Sequence, residues 1–163
     1  AECIEWSRYP VGDVPNPWAV DWAKFLVMNY TMALLPTAKI DDWGGFRGLN
    51  CGFKTDIYLA QQCPVVAVTL VHFSSPALVH AYNSDGSLAG NASMNGPQHV
   101  AETLIIGGTD ITHVVIDAPQ NETLLLKICC MGEKPKEEKE QKDQKDKPEI
   151  KEKREKLGIK EKR

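Results

Sequence analysis

Residues 65–130 form short runs of β-branched and aromatic residues, separated by turn residues at intervals of about ten residues. The strongest run covers residues 65–73 and suits a pleated, half-buried surface. Each separator contains Gly, Pro, Asn or Asp, which supply positive φ, fix φ or cap their own backbone. The separators are residues 74–76, 84–87, 95–97, 107–110 and 118–121. This pattern predicts an all-β, antiparallel fold.

The spacing predicts six strands in this stretch, at residues 65–73, 77–83, 88–94, 100–106, 111–117 and 123–129. One further strand is predicted near residue 3 and another at residues 53–59. Residues 18–35 favour two more strands, with a single helical turn as the alternative, and residues 36–52 favour an irregular loop. Eight to ten short strands are typical of a two-sheet jelly-roll β-sandwich, which limits exposed edges by folding back on itself.

Charge divides the chain into two parts. Residues 1–132 contain six basic and twelve acidic residues, whereas residues 133–163 contain thirteen basic and ten acidic residues. The prediction is a β-sandwich domain over 1–131 and a charged, low-complexity tail over 132–163 that is disordered, or helical on a partner, because it has too few apolar residues to form a core. An acidic body argues against nucleic acid as a partner. No apolar run approaches the length of a membrane span.

The five cysteines suggest disulfides. Cys3, Cys129 and Cys130 lie in the first and last predicted strands, and Cys51 and Cys63 flank one short segment. We therefore expect Cys3 to pair with Cys129 or Cys130, and Cys51 to pair with Cys63. Alternation along a strand sends Cys129 and Cys130 to opposite faces, so only one of them can meet Cys3. Disulfides predict an extracellular or secreted protein.

No catalytic motif or metal site is predicted. A nucleophile elbow, a zinc-protease helix motif and a phosphate loop are all missing from the sequence. His72 and His80 flank a predicted hairpin turn at Ser75, but a metal would need a third ligand. Asp41 and Asp42 could contribute to a calcium site, although two acids alone are a weak signal. No catalytic residue and no required cofactor is expected, so the protein is predicted not to be an enzyme.

Aromatic residues in polar settings suggest a ligand site. Sugars bind by stacking on exposed aromatic faces, with polar side chains nearby to reach their hydroxyl groups. Trp43 has that setting beside Asp41, Asp42 and Arg47, and Tyr82 is a further aromatic candidate. The alternative is that Trp43 is buried at one end of the fold, as large aromatic side chains usually are.

The strand pattern, the cysteines at both ends and the loop aromatics together resemble the galactose-binding-like jelly rolls, which include many carbohydrate-binding modules. The resemblance is one of architecture over residues 1–131, and it implies a secreted, non-catalytic binding module. We therefore expect a glycan, or another extracellular surface, as the partner. The alternative is a structural subunit of an extracellular or viral assembly, a homo-oligomer in which the tail or an added strand joins neighbouring copies.

Overall fold

Residues 1–132 are described by a computed structural model, and they form eleven β-strands and no helix. The strands are β1 (Glu2–Glu5), β2 (Gly12–Val14), β3 (Trp18–Val20), β4 (Ala23–Met28), β5 (Ala38–Trp43), β6 (Phe46–Asn50), β7 (Lys54–His72), β8 (Leu78–Asn83), β9 (Leu88–Ser93), β10 (Glu102–Asp117) and β11 (Thr123–Met131). Within these residues no helix is long and apolar enough to cross a membrane. The all-β, antiparallel prediction is confirmed. Jelly-roll connectivity stays a prediction, and the predicted tail lies outside the described residues, apart from Gly132.

The two longest strands, β7 and β10, organise the sheet. They run antiparallel to each other along most of their length. On its other edge, β7 pairs with β4 through its first half and with β11 through its second half. The second half of β10 pairs in turn with β8. Residues 53–59 and 65–73, predicted as separate strands, therefore belong largely to one strand.

The turn predicted at residues 107–110 is wrong. Gly107 and Gly108 lie inside β10, where the register with β7 shifts between Gly107 and Ile111. The side-chain oxygen of Asn83 accepts hydrogen bonds from the backbone N–H groups of Thr109 and Asp110. A Cβ atom at Gly108 would lie 2.7 Å from that same oxygen. The glycines thus serve a β-bulge that neighbouring side chains approach closely, so the strand continues past them.

All eleven strands belong to one hydrogen-bonded sheet, with the order β2-β5-β6-β11-β7-β10-β8-β9 and with β1, β3 and β4 branching from it. A single apolar cluster takes residues from strands near both ends of this order. Gly90 of β9 lies against Ile106 of β10, although β8 stands between these strands in the sheet order. The sheet therefore bends around its core. Trp6 is fully buried there, edge-on to Phe25 with ring centroids 5.3 Å apart.

Two further segments, residues 18–35 and 36–52, also form strands. Residues 18–35 contain β3 and β4, which confirms the two-strand prediction for that segment. Residues 36–52, predicted as an irregular loop, instead contain the β5–β6 hairpin. Its two turn residues, Gly44 and Gly45, have φ of 58° and 87°. Positive φ at both positions is the requirement of the tight hairpin turn that suits twisted strands.

Two disulfides link strands within the sheet, and both involve the last strand, β11. Cys3 bonds to Cys129 across the β1–β11 pair, where the two residues are directly opposite. Cys63 of β7 bonds to Cys130 of β11. The predicted pairing of Cys3 is confirmed, as is the argument that only one of the adjacent Cys129 and Cys130 can meet Cys3. The partner of Cys130 was not predicted.

The predicted bridge between Cys51 and Cys63 is wrong. The segment between them is the start of β7, and Lys54 and Cys63 are separated by about 30 Å along this extended strand. Cys51 is a free, fully buried cysteine. Burial raises the pKa of its thiol to about 12, so the thiol stays protonated at neutral pH and is a poor nucleophile.

Candidate functional site

Three neighbouring strands, β7, β10 and β8, carry a polar outer face over an apolar inner face. Side chains of a strand alternate between its two faces. The inward residues are the buried Ile57, Val79, Ala81, Val114 and Ile116. The outward residues are Lys54, Asp56 and Tyr58 on β7, His113, Val115 and Asp117 on β10, and His80 and Tyr82 on β8. Together they line a cleft of about 580 Å³.

One wall of the cleft is a row of three rings on three adjacent strands. His113 is directly opposite Tyr58 on one side and Tyr82 on the other. The rings of Tyr58 and His113 are stacked, with centroids 4.4 Å apart and planes 8° from parallel. The rings of His113 and Tyr82 are also stacked, at 5.4 Å and 29°. The histidine ring is therefore held between two tyrosines.

The carboxylate of Asp56 fixes the orientation of His113. The Nε2 atom of His113 lies 2.9 Å from Oδ1 of Asp56, whose side chain is almost entirely buried. The second carboxylate oxygen, Oδ2, lies 3.9 Å from the Lys54 ammonium group. A buried carboxylate needs such partners, since an unpaired one would be costly. Asp56 thus fixes the ring orientation of His113 and holds Lys54 at the cleft.

A second pair of an acid and a histidine, Asp117 of β10 and His80 of β8, also lines the cleft. Nε2 of His80 lies 3.6 Å from Oδ2 of Asp117, and both side chains are partly exposed. Asp117 is directly opposite Lys54, and His80 is directly opposite Val115. Val115 is therefore a short apolar side chain surrounded by longer polar and aromatic ones. This difference in side-chain length accounts for the concave shape.

The turn after β8 closes one end of the cleft with further hydrogen-bonding groups. Ser84 donates a hydrogen bond from its hydroxyl to Asp110, and the Ser84 backbone N–H also donates to that carboxylate. These bonds lower the pKa of Asp110, so it is ionised at neutral pH. The pKa of Asp85 is lowered in the same way by the Ser87 hydroxyl and backbone N–H. The turn is thus fixed by its own hydrogen bonds.

The arrangement suits binding of a polar molecule with an apolar face. It offers aromatic edges, an apolar floor at Val115, and carboxylate, ammonium and imidazole groups around them. Within residues 1–132, no group of three or more His, Cys, Asp or Glu side chains is placed to hold a metal ion. The Ser84 hydroxyl that lines the cleft donates to Asp110, not to either histidine.

The structure does not bring the five predicted ligand-binding residues together. Tyr82 lies in the cleft, but Trp43 is on β5, which is five positions from β8 in the sheet order. Trp43 is half-buried and packs edge-on against Phe73, with ring centroids 5.5 Å apart. It is neither a fully exposed platform nor a fully buried core residue.

The predicted polar partners of Trp43 are paired with one another or with other groups. Asp42 accepts a hydrogen bond from Nη2 of Arg47 at 3.1 Å, across the β5–β6 hairpin. Asp41 accepts one from the side-chain amide of Asn50 at 2.9 Å. Asp41 and Asp42 are adjacent residues of a strand, so their side chains point to opposite faces. They therefore do not form the shared calcium site that the sequence suggested.

Replacing Trp43 with alanine should have a moderate effect on stability. Because the ring is half-buried and contacts Phe73, we expect a loss of about 1–2 kcal/mol, less than the 3–5 kcal/mol typical of a buried aromatic residue. Urea unfolding of the two proteins measures the difference. A loss of about 3–5 kcal/mol would mean that Trp43 packs as a core residue, which was the alternative interpretation of the sequence.

The residues of the cleft that the sequence did not single out include Lys54, Asp56, Tyr58, His113 and Asp117. His72 and His80 were expected on one hairpin, but β10 lies between β7 and β8, so that hairpin does not form. His72 is buried instead, with its ring nitrogens near the carbonyl oxygens of Ser74 and Gly96. The sequence did contain one signal that could have indicated the polar face of β7. From Lys54 to Tyr58, polar residues alternate with apolar or hydroxyl residues.

No protein-family model and no curated protein matches this sequence.

Proposed function

We propose that this chain is a secreted, non-catalytic binding module whose ligand is a glycan, held in the cleft of β7, β10 and β8. The observation that carries the proposal is that stacked rings and a pair of charged side chains lie on opposite sides of Val115. The rings are Tyr58, His113 and Tyr82, and the charged pair is Lys54 and Asp117. A sugar has apolar C–H faces and polar hydroxyl groups, so it needs both kinds of surface in one site. The site proposed here replaces the hairpin around Trp43.

The charged groups suit hydroxyl recognition. Asp56 and Asp117 present acceptors, Lys54 presents donors, and hydrogen bonds to charged groups contribute about 1.5–3 kcal/mol each. Their positions are fixed by the contacts of Asp56 with His113 and of Asp117 with His80. A site whose polar groups are already oriented loses less entropy on binding.

Binding without turnover is supported by the same contacts. Hydrolysis of a glycosidic bond needs two carboxyl groups that act on that bond. In this cleft Asp56 is paired with His113 and Lys54, and Asp117 is paired with His80. Secretion is supported by the Cys3–Cys129 and Cys63–Cys130 disulfides, because such bonds persist in oxidising compartments.

The test is binding of the full chain to an array of glycans, followed by calorimetric titration of those that bind. Tyr58→Ala should weaken binding by at least about tenfold, since aromatic anchors commonly contribute more than about 1.4 kcal/mol. Tyr58 is 44% exposed, so the variant should remain folded. The matched control is Tyr30→Ala, which removes a tyrosine that is 74% exposed and outside the cleft.

Two results would overturn the proposal. One is equal binding by Tyr58→Ala and Tyr30→Ala, which would place the ligand elsewhere. The other is release of shorter sugars from a bound glycan, which would make the protein an enzyme.

A further inference from the structure

The outer face of the cleft continues onto the next strand, β9. In the β8–β9 pair, Asn91 is directly opposite His80 and Ser93 is directly opposite Leu78. Directly opposite residues lie on the same face of a sheet. Asn91 and Ser93 therefore extend the outward face of the sheet by one strand, although neither lines the cavity itself.

The inner face of β9 confirms this orientation. Gly90 is opposite Ala81 and Ala92 is opposite Val79, and both partners are fully buried. Gly90 also lies against Ile106 in the core. Asn91, between these two residues, is exposed. Within residues 1–132 its side-chain amide makes no hydrogen bond, so it offers two donors and one acceptor to a ligand.

Exposure along this row is low on β7 and β10 and higher on β8 and β9. Asp56 and Val115 are each 7% exposed, the His80 side chain is 27% exposed, and Asn91 is exposed. The row spans three strand spacings, which is about 14 Å. The cleft is thus deep at β7 and opens towards β9, the last strand in the sheet order.

The apolar wall continues in the same direction. Leu88 of β9 pairs with Tyr82, and 52% of its surface is exposed. On the other side of the row, Leu78 stands between Asp117 and Ser93 and is 37% exposed. The opening towards β9 therefore has an apolar side chain on each side, with Asn91 and Ser93 as its polar groups.

We infer that the ligand is the end of an oligosaccharide chain. Its terminal sugar occupies the deep part over Val115, and the following sugars extend past His80 to Asn91. The side-chain amide of Asn91 forms a hydrogen bond with a hydroxyl group of the second or third sugar. This inference rests on the proposed function and adds the length and direction of the ligand.

The experiment compares ligand lengths. The probes are linear neutral gluco-, manno- and galacto-oligosaccharides of one to four sugar units, titrated against the full chain. Affinity should rise from one to three units. Asn91→Ala should lower the affinity for the three-unit probe about 3- to 10-fold, as loss of one hydrogen bond does, and leave binding of the single sugar unchanged. Asn95→Ala, an exposed asparagine beyond the end of β9, is the matched control and should bind like the unchanged protein.

The outcomes separate this inference from the proposed function. If sugars bind in a Tyr58-dependent way but affinity is independent of length and of Asn91, the ligand is a single sugar and the inference is wrong while the function stands. If the affinity gain with length survives Asn91→Ala, the chain leaves the cleft by another route and the inference is also wrong. If no probe of any length binds although a glycan on the array binds in a Tyr58-dependent way, the inference is wrong and the function stands. If no glycan on the array binds, the proposed function and the inference fall together.

Discussion

Replacing both Cys3 and Cys129 with alanine should lower the free energy of unfolding by about 4–5 kcal/mol. The bond closes a sequence separation of 126 residues, and a cross-link of that span removes much of the conformational entropy of the unfolded chain. It also holds the first strand, β1, to β11. Guanidinium unfolding of the oxidised proteins at neutral pH measures the loss.

The second disulfide provides the control. Cys63 and Cys130 are separated by 67 residues, so replacing both should cost about 0.5 kcal/mol less than removing the first bridge, if loop entropy dominates. Replacing both partners leaves no new thiol to exchange, and the buried Cys51 thiol is unreactive. If either double variant were as stable as the unchanged protein, the bridge in question would not contribute through loop closure.

Local patterns in the sequence were sufficient to predict the strands but not their lengths. Alternating β-branched residues and turn residues are local signals, and most predicted strands form. The errors occurred where a local signal has two meanings. Gly107 and Gly108 fit a turn or a bulge, and only the close approach of Asn83 and Ala89 decides for the bulge. The Cys51–Cys63 bridge failed for the same reason, because the length of β7 was not apparent from its residues.

The candidate site could not be predicted because it depends on which strands are neighbours. Tyr58 and His113 are far apart in the chain, and they stack only because β7 pairs with β10 in one particular register. A shift of one residue would turn every one of these side chains to the other face. Tyr82, which the sequence singled out as a candidate ligand-binding residue, lines the cleft. Trp43, with which it was grouped, lies on a distant strand.

What the sequence did contain was the binary pattern of each strand. From Val114 to Asp117, the inward Val114 and Ile116 alternate with Val115 and Asp117, and the outward set includes the acid. Such a pattern shows that one face is polar, and polar outer faces are ordinary for antiparallel strands. The concave shape and the ring stack arise only when three such strands are placed side by side.

Gly52→Ala should be among the most damaging single substitutions in the described part of the chain, with a loss of about 2–5 kcal/mol. Gly52 connects β6 to β7 and has a φ of 59°, a conformation that costs a residue with a side chain about 1–2 kcal/mol. A Cβ atom there would also lie 2.6 Å from the backbone oxygen of Met28, which accepts a hydrogen bond from Phe53. Since that oxygen belongs to the backbone, it cannot rotate away, and overpacking adds about 1–3 kcal/mol.

The matched control is Gly44→Ala in the β5–β6 turn. Gly44 has nearly the same φ, 58°, but a Cβ atom there would meet only a Phe73 ring carbon at an ordinary 3.5 Å. It should therefore lose only the conformational cost, about 1–2 kcal/mol. Urea unfolding of both variants isolates the steric contribution at Gly52, because the backbone conformation is shared. Equal losses would mean that the segment after β6 moves to admit the methyl group, and that the contact with Met28 does not fix where β7 begins.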